Sequence, residues 1–509
     1  MMPTKSSTAT NHPERHLAAL VLYLAVTVGA MALFGIGRVC GFLAWALMVV
    51  FFCFFVRHLS FAIAAARWVE HDLHAADVGL AMYTPSVAVF VGCKDEELVV
   101  DKLVRALLRL DYPEDQLRLV IVDDASTDET GPKLDYWAQR HERLTVVHRP
   151  PGVGGGKSGA LNAALALVDA EIICVFDADH EPAKDVVRRL VRHYLDDEVD
   201  CVMGRCVIRN GNESQLAGVV FIDFLSGYLV NEYGRQALFE LPAYGGANCA
   251  VRRSTLLRLG GWNVETVTED TDLTIRVLLA GGRVRYDPTA VDFEEAVLVA
   301  RRFWKQRYRW ARGHQKCTRD YLMAALRSPH LSLGEKAEFI MFLLIYHIPV
   351  LSGLGVILTF ARFFGIGSVP VVALLPLTLL LFLGPLAELT VGLMLGRVER
   401  RGAWHLIGFL PSFALSIVTT TWAYFDGMLG RPYSWVKTTR SGEVSSQGTS
   451  DIVVNRPRTL GLRADEWENE PTTGEGAMIA TTGLVVRSGG VERSSAVGTR
   501  SFARKNTPP

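Results

Sequence analysis

The chain has 509 residues, 53 basic and 53 acidic side chains, and a 50% share of apolar residues. Charged residues make up 21% of the chain, below the roughly 25% usual in soluble proteins, and several long stretches almost lack them. This distribution excludes a single soluble globule, a disordered chain and a fibrous protein. The zero net charge argues against a general nucleic-acid binder, which would carry a basic excess.

Five stretches with almost no charge predict membrane-embedded helices. Each reaches or approaches the roughly 20 residues that a bilayer crossing requires. The first is longer than the apolar core of a signal peptide, about 7–15 residues, and the second follows at once, so we interpret the first as an uncleaved span. The five stretches cover residues 17–37, 40–66, 339–361, 363–387 and 402–425.

These stretches divide the chain into parts of different character. We expect two transmembrane helices in residues 1–66, a charged, soluble-looking block in residues 67–334, and a membrane region of two or three spans in residues 335–430. Residues 441–509 are rich in Gly, Ser, Thr and Arg, a composition that predicts disorder. The eight cysteines contain no CxxC pair, so we expect free thiols rather than disulfides or a zinc site.

The charged block alternates between apolar strands and helices. The helices are expected at residues 98–110 and 160–168. Continuous apolar strands separated by helices predict an α/β fold with a mostly parallel sheet and helices on both faces. Ligands of such sheets bind beyond the carboxyl ends of the strands. The expected strands are residues 86–92, 117–122, 144–148 and 172–176.

Acidic residues follow two of these strands. Asp123 and Asp124 end the second strand, and Asp177 and Asp179 end the fourth. Carboxylates in i, i+2 spacing at a strand end can hold a hard cation through oxygen. For either motif alone, helix capping by an acidic residue such as Asp128 is an equally good interpretation. Together on one sheet edge, the motifs favour a nucleotide–metal site.

A glycine-rich run between the third and fourth strands resembles the phosphate-binding loop of ATPases and GTPases. The register fails, because the first glycine of that motif would stand at Pro151. An ATPase is therefore disfavoured. A glycine-rich turn that enters a helix can still present backbone N–H groups and Lys157 to a phosphate.

Two further motifs lie closer to the third apolar stretch. Glu269 and Asp270 form an acidic cluster, and Gln306, Arg309 and Trp310 belong to the basic, aromatic run QRYRW. Taken alone, the second motif also fits a juxtamembrane anchor, where Arg, Tyr and Trp are common.

Five motifs, in chain order, resemble those of the membrane-embedded, inverting glycosyltransferases of family two. They are VDDAST, GGGKSGALN, FDAD, TED and QRYRW. That family includes cellulose, chitin, hyaluronan and poly-N-acetylglucosamine synthases, and the resemblance spans residues 86–310. It implies a glycosyltransferase A-type fold, a UDP-sugar donor and Mg²⁺ or Mn²⁺ as cofactor.

The resemblance also assigns roles to residues. It implies that Asp270 is the catalytic base and that Asp177 and Asp179 bind the metal. The glycine-containing segment 244–249 would line the floor of the acceptor pocket, although a tight turn explains it equally well. The nucleotide-sugar-binding residues would be Lys94, Asp95, Asp123, Asp124, Lys157 and Asp177, and the diphosphate and acceptor residues would be Glu269, Gln306, Arg309 and Trp310.

Two functions follow from the resemblance. The first is a processive synthase that extends a β-linked polysaccharide and passes it through the membrane, which the Q-x-x-R-W motif favours. The alternative is a non-processive transferase that adds one sugar to a lipid-linked acceptor. The partners expected are a UDP-sugar, a polysaccharide or lipid-linked acceptor and the lipid bilayer, with no nucleic acid.

Basic residues predict the orientation in the cell membrane. Lys5 and Arg15 precede the first span, which places the amino terminus and the catalytic block in the cytoplasm of a multi-pass protein. Basic residues flank both ends of stretch 402–425, so we favour four spans and one interfacial segment over five spans. Residues 431–440 faintly resemble a gating loop. With so few spans, polymer export would require a dimer or a partner protein.

Overall fold

The computed structural model describes residues 13–74, 83–365 and 371–431. Residues 432–440, which hold nearly all of the predicted gating loop, and the predicted disordered tail lie outside the described residues.

An eight-stranded sheet forms the centre of the described charged block. Its spatial order is β3-β2-β1-β4-β7-β6-β8-β5. The pairs among β1 to β4 are parallel, whereas β7 is antiparallel to both of its neighbours and β6 is parallel to β8. The strands are β1 (Val87–Cys93), β2 (Leu117–Asp123), β3 (Leu144–His148), β4 (Ile172–Asp177), β5 (Glu181–Pro182), β6 (Val199–Ile208), β7 (Cys249–Arg252) and β8 (Arg283–Glu294).

Helices cover both faces of the sheet and continue into the apolar segments. A 3₁₀ turn, Ile345–His347, separates helix Leu333–Leu344 from helix Ile348–Phe363. A π-helical turn, Gly227–Glu232, separates helix Gln215–Ser226 from helix Tyr233–Phe239. The helices are α1 (Pro13–Phe34), α2 (Ile36–His74), α3 (Val100–Leu108), α4 (Thr130–Ala138), α5 (Gly156–Leu165), α6 (Val186–Val191), α7 (Gln215–Ser226), α8 (Tyr233–Phe239), α9 (Arg253–Leu259), α10 (Glu269–Leu279), α11 (Ala300–Arg327), α12 (Leu333–Leu344), α13 (Ile348–Phe363), α14 (Val371–Leu395), α15 (Arg400–Ala403) and α16 (Phe409–Met428).

Strand β1 shows why the sheet is buried on both faces. Successive side chains of a strand point to opposite faces. Val89 and Val91 pack in one core with α3 and α6, and Ala88 and Phe90 pack in a second core with α5 and α10. All four side chains are fully buried, so the sequence of β1 is continuously apolar rather than alternating.

The predicted fold class, an α/β fold with a mostly parallel sheet, is confirmed. The four predicted strands are β1 to β4, with ends that differ by one residue at most. Strands β5 to β8 were not predicted from the sequence. β5 has two residues and β7 has four, too few for a recognisable hydrophobic pattern, and both pair with strands distant along the chain. The eight cysteines, all of them described, are free, as expected.

Three helical segments among the described residues are long and apolar enough to cross a membrane. They are Ile36–Val69, Leu333–Ala361 and Trp404–Met428, and two shorter apolar helices are Ala25–Phe34 and Phe382–Leu395. Two of the long segments correspond to predicted spans. The third coincides with stretch 402–425, for which an interfacial position was favoured; its position, the number of spans and their orientation stay predictions.

A buried ion network joins the charged block to the apolar helices. Arg57 of α2 donates two hydrogen bonds of 2.8 Å to the carboxylate of Glu338 in α12, and Arg235 of α8 donates a third, of 3.1 Å, to the same carboxylate. All three side chains are at most 1% exposed. Because Arg235 also lies 3.4 Å from Glu232, loss of the Glu338 carboxylate would affect Arg57 most.

Candidate active site

One cleft at the carboxyl edge of the sheet collects most of the predicted site residues. All twelve lie among the described residues, and ten of them line the cleft. The ten are Lys94, Asp124, Lys157, Asp177, Asp179, Glu269, Asp270, Gln306, Arg309 and Trp310.

The sheet register explains how the acidic strand ends meet. β1 is central, with β2 on one side and β4 on the other. In the parallel register, Gly92 of β1 lies beside Asp177 of β4, and Cys93 lies beside Asp123 of β2. The residues that follow these strands therefore emerge at one edge, as expected for a parallel sheet.

Lys157, at the start of α5, lies among the acidic residues of the cleft. Its ammonium group forms an ion pair with Asp177, lies 3.3 Å from Glu269 and donates a 2.6 Å hydrogen bond to the Gly246 carbonyl. Burial alone would lower the pKa of Lys157, but the two carboxylates outweigh it and raise that pKa. Lys157 is therefore a fixed positive charge between the strand-end acids and the Glu269–Asp270 pair.

The glycine-rich turn before Lys157 is anchored from β3. Arg149 forms an ion pair with Asp124 and donates a 2.5 Å hydrogen bond to the Gly154 carbonyl. A methyl group at Gly159 would lie 2.7 Å from the Arg149 guanidinium, so this position requires a glycine. Asp124 thus lines the cleft while it also holds the turn.

Two predicted nucleotide-binding residues lie outside the lining of the cleft. Asp123 is buried, accepts a hydrogen bond from the Ser126 N–H and contacts His148 at 2.9 Å. Asp95 accepts a 2.7 Å hydrogen bond from the Thr127 N–H. Both carboxylates shape the loops after β1 and β2. Asp128, for which capping was the other interpretation, stands one residue before Glu129, the N-cap of α4, and accepts a 3.0 Å hydrogen bond from the N–H of Thr130.

Asp270 lies in the first turn of α10, where helical N–H groups favour negative charge. Its Oδ1 accepts a 2.7 Å hydrogen bond from the Thr271 N–H. Burial raises the pKa of Asp270, and burial likewise raises the pKa of its neighbour Glu269. A methyl group at Gly246 would lie 3.1 Å from Asp270 Oδ2, so the predicted small-residue floor lies directly against this carboxylate.

Helix α11 forms the opposite wall of the cleft. Gln306, Arg309 and Trp310 face the cleft from consecutive turns. The buried Nε of Arg309 has no hydrogen-bond partner among the described residues, which leaves a guanidinium donor available to a bound anion. The same helix packs against α16, where the Tyr308 hydroxyl donates a 2.7 Å hydrogen bond to Asp426.

Oxygen ligands for a cation are present on the strand-end side. Ligand atoms of Asp177, Asp179 and His180 lie within 4.8 Å of one another. Two carboxylates and one imidazole at this spacing fit Mg²⁺ or Mn²⁺. His180 Nδ1 lies 2.6 Å from Asp292 and Nε2 lies 3.3 Å from Glu294, so both ring nitrogens already face carboxylates. The carboxylates of Asp177 and Asp179 are therefore the better ligands for the cation.

Sequence reasoning also left unassigned several functional side chains that line the cleft. His180 directly follows the FDAD motif, and His314 stands one helical turn after Trp310, so their positions in the sequence offered a signal. The others stand on β6, α7, the π-helical turn and β8, which were not predicted from the sequence. These side chains include His180, Cys206, Phe224, Tyr228, Glu294 and His314.

Residues 88–260 match the family model described as Glycosyl transferase family 2. This segment includes β1 to β7 and the strand-end acids, but it ends before Asp270 and α11. The family match and the motifs that line the cleft both indicate similarity to glycosyltransferases.

Curated relatives extend the similarity. The chain is 35% identical over 240 residues to "Probable glycosyltransferase YdaM" of Bacillus subtilis (strain 168), covering 47% of this chain and 57% of that protein. It is 35% identical over 272 residues to "Beta-monoglucosyldiacylglycerol synthase" of Synechocystis sp. (strain ATCC 27184 / PCC 6803 / Kazusa), covering 52% and 55%. The chain therefore spans little more than half the length of these relatives.

One solved structure supports the fold. The mannosyltransferase PcManGT of Pyrobaculum calidifontis, in complex with GDP-Man and Mn²⁺, superimposes with a TM-score of 0.52 at 22% identity. The alignment covers 77% of this chain and 100% of that chain. The glycosyltransferase A-type fold expected from the sequence is thereby confirmed.

Proposed function

We propose that the chain, whose residues 88–260 match the family model described as Glycosyl transferase family 2, transfers one sugar from a nucleotide-diphosphate sugar to a lipid acceptor, with inversion at the anomeric carbon. This is the non-processive alternative of the sequence analysis. Relatives named for the synthesis of a glucosylated diacylglycerol support it over polymer synthesis.

The observation that carries the proposal is the composition of the cleft. Strand-end acids and Lys157 lie on one side, and α11 lies on the other. That helix packs against α16, one of the segments long and apolar enough to cross a membrane. A donor from the aqueous phase and an acceptor from the bilayer would therefore approach the same carboxylate, Asp270, from different sides.

Asp270 would act as the base in a single displacement. The acceptor hydroxyl attacks the anomeric carbon, its proton passes to the Asp270 carboxylate, and the bond between that carbon and the diphosphate oxygen breaks on the opposite face. The raised pKa of the buried Asp270 makes it a stronger base than an exposed carboxylate. A positioned base of this kind contributes typically 10²–10⁴-fold.

The remaining residues would bind and orient the substrates. Lys157 and Arg309 would offset the charge of the diphosphate, and Trp310 offers an apolar face to a sugar ring. Asp177 and Asp179 would hold Mg²⁺ or Mn²⁺, which supplies further positive charge to the leaving group when bound. Lys94 and Asp124, at the ends of β1 and β2, would face the nucleoside.

A second candidate, processive polysaccharide synthesis, is favoured by the motif formed by Gln306, Arg309 and Trp310, which the polymer synthases of the family carry. Both functions use the same displacement. They differ in whether the product leaves after one transfer or stays bound as the next acceptor.

The test is incubation of purified protein in phosphatidylcholine vesicles that contain diacylglycerol with four labelled donors. These are UDP-glucose, UDP-N-acetylglucosamine, UDP-galactose and GDP-mannose, each with and without Mg²⁺ or Mn²⁺. We expect label in a lipid-soluble product that carries one sugar. Label in a high-molecular-weight, water-soluble product would instead support polymer synthesis, and no incorporation from any donor would contradict the proposal.

A further inference from the structure

We propose that His314 is a positioning residue, which holds the Asp270 carboxylate in its reactive orientation through the hydroxyl of Thr271. The inference rests on the proposed function, in which Asp270 is the base. It assigns a role to a side chain of α11 that lies outside every motif recognised in the sequence.

A continuous set of polar contacts leads from the imidazole to the carboxylate. His314 Nε2 lies 3.1 Å from Thr271 Oγ1. Thr271 Oγ1 lies 3.4 Å from Asp270 Oδ1, which also accepts the 2.7 Å hydrogen bond of the Thr271 N–H. Thr271 thus contacts the same carboxylate oxygen with its backbone and its side chain, while His314 orients the side chain.

The charge of Asp270 fixes the direction of these hydrogen bonds. A hydroxyl that faces an ionised carboxylate must donate to it, because both carboxylate oxygens are acceptors only. Thr271 Oγ1 then accepts from His314, so Nε2 carries the ring proton. Loss of this donor would free the hydroxyl to rotate away from Asp270.

The imidazole positions the base without weakening it. Burial lowers the pKa of His314 to about 3, so the ring is neutral at physiological pH. A positively charged side chain in the same place would lower the pKa of Asp270 and make it a poorer base. The Asp270 carboxylate therefore keeps its raised pKa while the neutral Thr271 hydroxyl, oriented by His314, contacts its Oδ1.

The other carboxylate oxygen faces the floor of the cleft. Asp270 Oδ2 is the atom that a methyl group at Gly246 would approach to 3.1 Å. With Oδ1 held by Thr271, Oδ2 is directed toward the small-residue floor, where an acceptor hydroxyl has room. We assign the proton transfer to Oδ2.

Aromatic packing fixes the ring of His314. The ring of Tyr346 stacks on it with centroids 4.4 Å apart and planes 27° apart, and Phe342 contacts it edge-on at 6.1 Å. Tyr346 belongs to the 3₁₀ turn Ile345–His347, within the apolar segment Leu333–Ala361. That segment therefore contributes to the geometry of the base.

The test compares variants that keep or remove the N–H donor of His314 and the hydroxyl of Thr271. We expect His314→Phe and Thr271→Val each to lower kcat about 10–100-fold, since small misplacements of a reacting group cost up to about 10²-fold. We expect His314→Gln, which retains an N–H donor, and Thr271→Ser, which retains the hydroxyl, to stay within about fivefold of the wild type. The KM for the nucleotide sugar should change little in all four variants.

The double variant tests whether the two residues act together. We expect His314→Phe with Thr271→Val to lose no more kcat than the worse single variant, because both remove the same contact. A loss equal to the product of the single losses would overturn the proposal. His141→Gln is the matched control, since its ring also stacks on an aromatic side chain, that of Trp137, with centroids 5.7 Å apart, and it does not line the cleft; it should keep the wild-type kcat.

Rates are measured with whichever of the four labelled donors gives the highest wild-type incorporation. Equal activity of His314→Phe, His314→Gln and the wild type would overturn the positioning role. So would equal losses in His314→Phe and His314→Gln, because the donor would then not matter. These outcomes differ from failure of the proposed function, which an active Asp270→Asn variant would reveal.

Discussion

The two sides of the cleft are built in different ways. On the side proposed to bind the sugar donor, Lys94, Asp124 and Asp177 each stand at the end of a parallel strand, and the register of β1 with β2 and β4 brings them together. On the side proposed to bind the acceptor, Asp270 and Trp310 stand on separate helices that meet only through tertiary packing. The donor side therefore depends on one sheet, whereas the acceptor side depends on how helices and apolar segments pack together.

The largest effect should come from the carboxylate where the two sides meet. Asp270→Asn removes the base but keeps the shape of the side chain, so product formation should fall roughly 10²–10⁴-fold. Binding of the nucleotide sugar, measured by calorimetry, should stay within about twofold because Asp177 and Lys157 are untouched. Asp177→Asn, by contrast, should lower both product formation and the affinity for the nucleotide sugar. Equal losses of affinity in the two variants would contradict the distinction between the two sides.

The next largest effect should be on folding of the acceptor side. Glu338→Gln removes the carboxylate that both Arg57 and Arg235 contact, and it leaves Arg235 with only the longer pair to Glu232 at 3.4 Å. This should lower the free energy of unfolding by about 3–5 kcal/mol. Thermal unfolding in detergent measures this as a lowered Tm. Asp320→Asn, which breaks the partly exposed pair with Lys316, should cost about 0.5 kcal/mol or less. Equal shifts in the two variants would contradict the structural role of the network.

A smaller effect should follow from filling the floor of the cleft. Gly246→Ala places a methyl group 3.1 Å from Asp270 Oδ2 and 3.7 Å from Lys157 Nζ, so kcat should fall up to about 10²-fold. Gly227→Ala is the matched control, since a methyl group there has no atom within 4 Å. Steady-state rates of both variants test the prediction. An unchanged kcat in Gly246→Ala would mean that the acceptor does not bind against this floor.

The smallest effect should be a pH dependence of stability on the donor side. Hydrogen bonds with Asp135 and Asp123 raise the pKa of His148 above its unfolded value of about 6.5. The resulting stabilisation is fully present below that unfolded value and is lost as the pH rises through the raised pKa. The Tm difference between wild type and His148→Gln should therefore shrink from pH 6 to pH 8.5, and a difference that grows would contradict the assignment.

The same contrast explains what the sequence could predict. Strands β1 to β4 and Asp177 were predicted because a buried apolar run and the acids after it are local patterns. β7 and the partners of His314 were not, because a four-residue strand and a ring stacked on Tyr346 depend on segments far apart along the chain. Asp95 and Asp123 carry the right chemistry in the motif, but their hydrogen bonds to loops, which no spacing reveals, keep them out of the cleft lining.

The buried ion pairs also depend on segments that are far apart along the chain. Glu338 and Arg57 stand in stretches that hydropathy marks as apolar, and only the packing of α2 against α8 and α12 shows why they are tolerated. Their pairing is a property of three helices together.

The most direct test of the central claim, a single displacement with Asp270 as the base, is the anomeric configuration of the product. The wild-type protein is incubated with UDP-glucose, or with the donor that gives the highest incorporation, and the product is analysed by proton NMR. The account predicts inversion, so an α-linked nucleotide sugar gives a β-linked product. An α-linked product would contradict it, because retention requires a different arrangement of catalytic groups.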